Sequence, residues 1–169
     1  MTSLPSLGWP DGHADSHTGH LHPEALPLSW SPDTVEAMIA LCQAAYPGEG
    51  CGFLLGEERD GLRVLQRVLP IDNRADGPDQ LRRFRIDPRD FMKAEREAAR
   101  SGLSVLGVFH SHPDHRAVPS RHDLQFALPT LSYPILALDG SGSGAPQLSE
   151  IRSWQLNDHR LFAEESIPS

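Results

Sequence analysis

The chain predicts an α/β fold with a mixed central sheet and helices packed on its faces. Three observations carry that expectation: short runs of strand formers recur after residue 50, two amphipathic stretches separate them, and Gly, Pro, Asp or Ser marks the junctions. The run from Leu103 to Phe109 is mostly apolar and bounded by Gly102 and Pro113, as an interior strand is.

Residues 1–30 read as a flexible, His-rich N-terminal tail. Gly8, Pro10, Gly12, Gly19, Pro23 and Pro27 break any periodicity, and His13, His17, His20 and His22 crowd the same stretch, where weak metal binding is expected. Residues 31–169 form the domain. Ser31-Pro32-Asp33 supplies an N-cap, a proline at the first helical position and an early acid; Val35, Met38, Ile39 and Cys42 give that helix one apolar face, and it ends by Pro47-Gly48. Strands over 51–55 and 62–71 follow as a hairpin around Gly61. A polar loop, 72–80, precedes a helix opened by Asp87-Pro88, carrying Phe91, Ala94 and Ala98, and ended by Ser101-Gly102. After the Leu103 strand come a helix from Ser120 to near Pro129 and a strand over 135–138. A Gly-Ser connector, Gly140 to Gly144, leads to a strand over 148–154, and 161–165 adds a last edge.

Composition narrows the function. A chain of 169 residues, 38% of them hydrophobic, holds one domain with a real core. The net charge of −8 argues against binding nucleic acid or an anionic membrane, because phosphate contacts need clustered cations. Arg82, Arg83 and Arg85 form a small basic group that reads as a solvated loop edge. Cys42 and Cys51 are the only cysteines, so a reducing, cytoplasmic setting fits best; both read as small packed thiols. No apolar stretch is long enough for a membrane span.

The chemistry concentrates in His110-Ser111-His112-Pro113, followed by Ser120 and Asp123. Side chains two apart on a strand share a face, so both imidazoles reach one ion while Ser111 turns away. Ser120 and Asp123 sit within one turn at a helix start, a pattern that alone describes an ordinary capping box. Together, two imidazoles and a carboxylate are donors zinc favours, and three protein ligands leave a fourth position for water, as catalytic sites do. His115 and His122 flank these ligands and read as loop or helix-surface residues, with Trp154 as core or edge packing. Upstream, Glu49 stands in a helix-to-strand turn before Cys51. From its segment alone it is either a solvated turn glutamate or the base that a hydrolytic site requires.

The combination resembles the JAMM, or MPN+, zinc metallopeptidase family, whose signature is a Glu followed far downstream by His-x-His-Pro-x6-Ser-x2-Asp. Glu49, His110, His112, Pro113, Ser120 and Asp123 match it without a gap. Pro47, Cys51, Gly52, Asn73 and Phe84-Arg85-Ile86-Asp87-Pro88 extend the similarity, which is to the compact prokaryotic members. The resemblance implies a three-layer α/β/α, cytidine-deaminase-like JAMM fold and one Zn2+ held by His110, His112 and Asp123. It also implies a general acid/base at Glu49 and an oxyanion-stabilising hydroxyl at Ser120. The implied substrate is a peptide or isopeptide bond after the C-terminal Gly-Gly of a ubiquitin-like or sulfur-carrier (β-grasp) protein; small peptide adducts or cell-wall peptides are the alternative. Metal-free scaffold relatives of the MPN type have lost ligands, whereas every signature position is intact here. A zinc deaminase would need a Pro-Cys-x-x-Cys pair, which is missing.

Overall fold

In the structure, a computed structural model that describes residues 26–72 and 86–168, the order of elements is as follows. The chain runs β1 (Leu28–Ser29), α1 (Pro32–Ala45), β2 (Cys51–Arg59), β3 (Leu62–Ile71), α2 (Pro88–Arg100), β4 (Ser104–Pro113), α3 (Arg121–Phe126), β5 (Tyr133–Asp139), β6 (Gln147–Leu156) and β7 (Phe162–Glu165). The strands form one sheet in the order β1-β3-β2-β4-β5-β6-β7. β1 with β3 and β4 with β5 are parallel and the other pairs antiparallel, so the sheet is mixed.

The two faces separate by strand periodicity. Phe53, Val108, Ile135 and Ala137 pack with Ala94 and Ala98 of α2, whereas Leu54, Phe109, Leu136 and Leu138 pack with Met38 and Cys42 of α1. Neighbouring residues on β2, β4 and β5 thus go to opposite cores, which requires a helix layer on each side. That is the expected three-layer α/β/α arrangement. No helix among the described residues is long and apolar enough to cross a membrane.

The helix starts follow their caps. Ser31 and Thr34 form a reciprocal capping box before Pro32, and the Asp87 carboxylate accepts from Arg89 N at 2.8 Å before Pro88. Elsewhere the boundaries shift. The stretch expected as tail, 1–30, gives its last residues to the sheet: Leu28 is fully buried opposite Arg63, and Leu26 O accepts from Arg63 Nε at 2.8 Å. Residues 1–25 with their histidines, most of the 72–80 loop, and Asn73, Arg82, Arg83, Phe84 and Arg85 lie outside the described residues. Pro113, expected to stop the strand, is its last residue, opposite Leu138. Ser111 N donates toward β2, to Gly50 O at 2.9 Å, and position 113 faces that same side beyond the end of β2. The N–H that proline lacks therefore has no ladder to join.

Candidate metal centre

The antiparallel register of β2 and β4 builds the site. Cys51 lies opposite His110, and the Ser111 hydroxyl, turned to the α1 face, accepts from Gly50 N at 2.8 Å. Continuing that register two residues brings Glu49 beside His112. On the opposite face of β4 the Nε2 atoms of His110 and His112 stand 3.1 Å apart. Asp123 reaches them from α3, with Oδ1 3.4 Å from His110 Nε2 and Oδ2 3.7 Å from His112 Nε2. Its carboxylate is held by the helix start: Asp123 Oδ2 accepts from Ser120 N at 2.7 Å, while Ser120 Oγ accepts from Asp123 N at 3.2 Å.

These donors fit a small divalent cation. Zinc bonds of about 2.0–2.1 Å in a tetrahedron set neighbouring ligand atoms about 3.3 Å apart, close to the 3.1 Å between the two Nε2 atoms, and each imidazole has a different Asp123 oxygen nearby. Each of the three residues offers one ligand atom, all within 4.8 Å of one another. His112 is also oriented for the task. Its Nδ1 lies 2.8 Å from Arg116 O, and since a carbonyl only accepts, Nδ1 carries a proton there, so in the neutral ring the Nε2 lone pair is the one left for an ion.

Burial sharpens the electrostatics, with His110 0%, His112 8%, Asp123 7% and Glu49 5% exposed. For His110, burial outweighs the attraction of Asp123 and lowers the pKa; for His112, burial is overcome by the bond to Asp123 and its charge, and the pKa rises. Burial works against ionised Asp123 too, yet His110 and His112 hold it well below the usual carboxylate range. Glu49 goes the other way: burial, opposed by His112 and reinforced by Asp123, pushes its carboxyl up to about 8.

The cluster opens on a groove of about 1020 Å³, whose walls include Glu49, His112 and Ser120. Its far rim joins three turns. Tyr46 Oη donates to Asp114 Oδ2 at 2.7 Å, Gly140 N donates to Asp114 Oδ1 at 2.8 Å, and a Cβ at Gly140 would collide with the Tyr46 phenol. Nothing in the sequence marks Tyr46, Asp114 or Gly140 as groove residues, since their meeting depends on how three separate turns pack. His115 is exposed on the groove and His122 packs edge-on against Phe126; neither is in the cluster. Cys51 is buried with its thiol 3.8 Å from Ile71 O, and burial pushes the thiol up to about 12. It is a packed thiol rather than a groove residue.

Fold and site define a class, that of α/β proteins with a metal-compatible His-His-Asp centre at a sheet end. The chain belongs to the prokaryotic homologs of the JAB domain, whose family model matches residues 31–157. It is 34% identical over 119 residues to a desampylase of Pyrococcus furiosus, covering 70% of this chain and 74% of that one. It is 29% identical over 132 residues to a CysO-cysteine peptidase of Mycobacterium tuberculosis, covering 78% and 84% of the two chains. Among solved structures, a Desulfitobacterium hafniense protein determined in solution superposes with a TM-score of 0.66 at 31% identity, over 83% of this chain and 91% of that one.

Proposed function

We propose that this chain is a zinc peptidase or isopeptidase that cuts after the C-terminal Gly-Gly of a ubiquitin-like or sulfur-carrier protein. The carrying observation is the convergence of His110, His112 and Asp123 beside buried Glu49 at the wall of an open groove. The names of the desampylase and CysO-cysteine peptidase relatives support the kind of substrate.

In this reading His110 and His112 offer Nε2 and Asp123 a carboxylate oxygen to one Zn2+ per chain. Zinc held there would supply Lewis acidity, which makes a nearby water easier to deprotonate at neutral pH. Glu49 takes the proton from the attacking water and later returns it to the leaving amine, so one carboxyl serves as base and then acid. Ser120 uses an oxygen lone pair for its helix cap, which leaves its O–H to donate to the carbonyl oxygen as negative charge develops. The extended Gly-Gly tail lies in the groove, where a lack of side chains suits close passage. Two free, buried cysteines fit a cytoplasmic setting.

The test is incubation of zinc-loaded protein with a β-grasp carrier extended past its Gly-Gly, read by intact mass. Release of the extension by wild type, and its loss in Glu49→Gln at unchanged zinc content, is the expected result. Cleavage persisting in that variant removes Glu49 as the base; zinc binding without cleavage by wild type removes the substrate assignment.

A further inference from the structure

We propose that Trp154 and Glu150 of β6 are positioning residues that set the metal centre through the backbone of Ala117. The inference rests on the reading that His110, His112 and Asp123 hold an ion.

The segment 114–120 joins the end of β4 to α3, and beyond Asp114, whose N–H donates to Leu138 O of β5 at 2.7 Å, it lies outside the strands. It carries the Arg116 carbonyl that orients His112, and it ends at Ser120, whose cap orients Asp123. Both sides of the cluster therefore depend on where this segment lies. Midway along it, Ala117 is fully buried and both its backbone groups are held by side chains of one strand. Its N–H donates to Glu150 Oε2 at 3.1 Å, and its carbonyl accepts from Trp154 Nε1 at 3.1 Å.

The brace is itself supported. Glu150, Arg152 and Trp154 alternate along β6 and so share a face. The Arg152 guanidinium lies 4.5 Å from the centre of the Trp154 ring, 3.9 Å from Glu150 Oε1, and donates through Nε to Glu164 on β7 at 2.9 Å. A buried indole N–H needs an acceptor, and the one Trp154 takes is the Ala117 carbonyl of this loop. Here that N–H fixes the peptide next to the carbonyl that sets the His112 ring. Partners that orient a metal ligand are worth roughly 10- to 100-fold in affinity.

The experiment uses the full chain as Trp154→Phe, Glu150→Ala and Glu150→Gln, with Gln43→Ala as a control. Gln43 bonds Pro146 O at 2.7 Å, away from the loop. Zn2+ affinity is read by chelator competition, the Co2+-loaded protein by its visible spectrum, and activity by the carrier assay. Trp154→Phe and Glu150→Ala are expected to weaken Zn2+ binding by at least about 10-fold and to alter the Co2+ spectrum. Glu150→Gln, which keeps an acceptor for Ala117 N–H, and the control are expected to match wild type. Should Trp154→Phe unfold, Glu150→Ala, whose side chain is one-third exposed, decides the matter. Wild-type affinity and spectrum in both disruptive variants would overturn the brace, whether or not the carrier is cut. Weakened binding in a protein that cuts no carrier would uphold the brace and discard the substrate, and no Zn2+ binding by wild type would discard both.

Discussion

Ser120 caps α3 and lines the groove, and in the proposed reading the same oxygen also presents its O–H to the substrate carbonyl. Ser120→Ala is therefore expected to lower kcat by about 10²–10³ while costing only about 1 kcal/mol of stability, measurable by steady-state kinetics and thermal unfolding. Glu49 gives a pH signature in the metal-free protein. Its folded pKa of about 8 lies above its ordinary 4.5, so its stability contribution is fully present below 4.5 and is lost as pH rises through about 8. Urea unfolding of chelator-treated wild type is expected to lose on the order of a few kcal/mol across that window relative to Glu49→Gln. A slope equal in both would mean that Glu49 is not the buried carboxyl described here. At this scale the sequence was informative where spacing alone sets geometry: i and i+2 on a strand for His110 and His112, and a helix cap for Ser120 and Asp123. Glu49 was ambiguous because its position beside His112 follows from the β2–β4 register. Trp154 shows in sequence as packing only, because the partner of its N–H is 37 residues away.

Elements meet at the groove rim, where the turns after α1, β4 and β5 converge on Asp114. This residue has φ 56 and anchors both Tyr46 and Gly140, so its carboxylate holds the rim without touching the cluster. Asp114→Ala is expected to raise KM roughly tenfold with kcat nearly unchanged, since bonds to a charged group are worth about 1.5–3 kcal/mol and, in the proposed reading, this wall binds substrate rather than taking part in the chemistry. A fall in kcat at constant KM, in the same kinetics, would count against that division. Long periodic elements were readable in sequence: α1, α2 and the apolar half of β4 fall where their caps and patterns indicate. Two-residue β1 was not, because Leu28 and Ser29 are too few to show a period and become a strand only by pairing with β3. The outer half of β2, Gly56 to Arg59, also eluded composition; its charged residues are held in the ladder by β3.

Across the whole molecule, an ion pair spans the sheet. Arg63 of β3 reaches Glu165 of β7 at 3.1 Å although four strands lie between them in sheet order, and it also bonds Ser132 Oγ at 2.6 Å and Leu106 O at 3.3 Å. The sheet is thus curled enough for its two sides to share a buried polar network, completed by Ser153 and Gln155. Neither charge was legible as a partner of the other, because curl is a property of the assembled sheet. Arg63→Met leaves a buried carboxylate without its cation and is expected to cost about 3–5 kcal/mol in urea unfolding while leaving zinc affinity unchanged. Everything functional hangs on whether one ion sits among His110, His112 and Asp123. X-ray absorption at the zinc edge, on full-length protein loaded with one equivalent, tests this most directly. The expected first shell is two imidazole nitrogens and two oxygens at about 2.0–2.1 Å, with one imidazole lost in His112→Ala. A sulfur scatterer near 2.3 Å, or a shell unchanged by His112→Ala, would contradict the account.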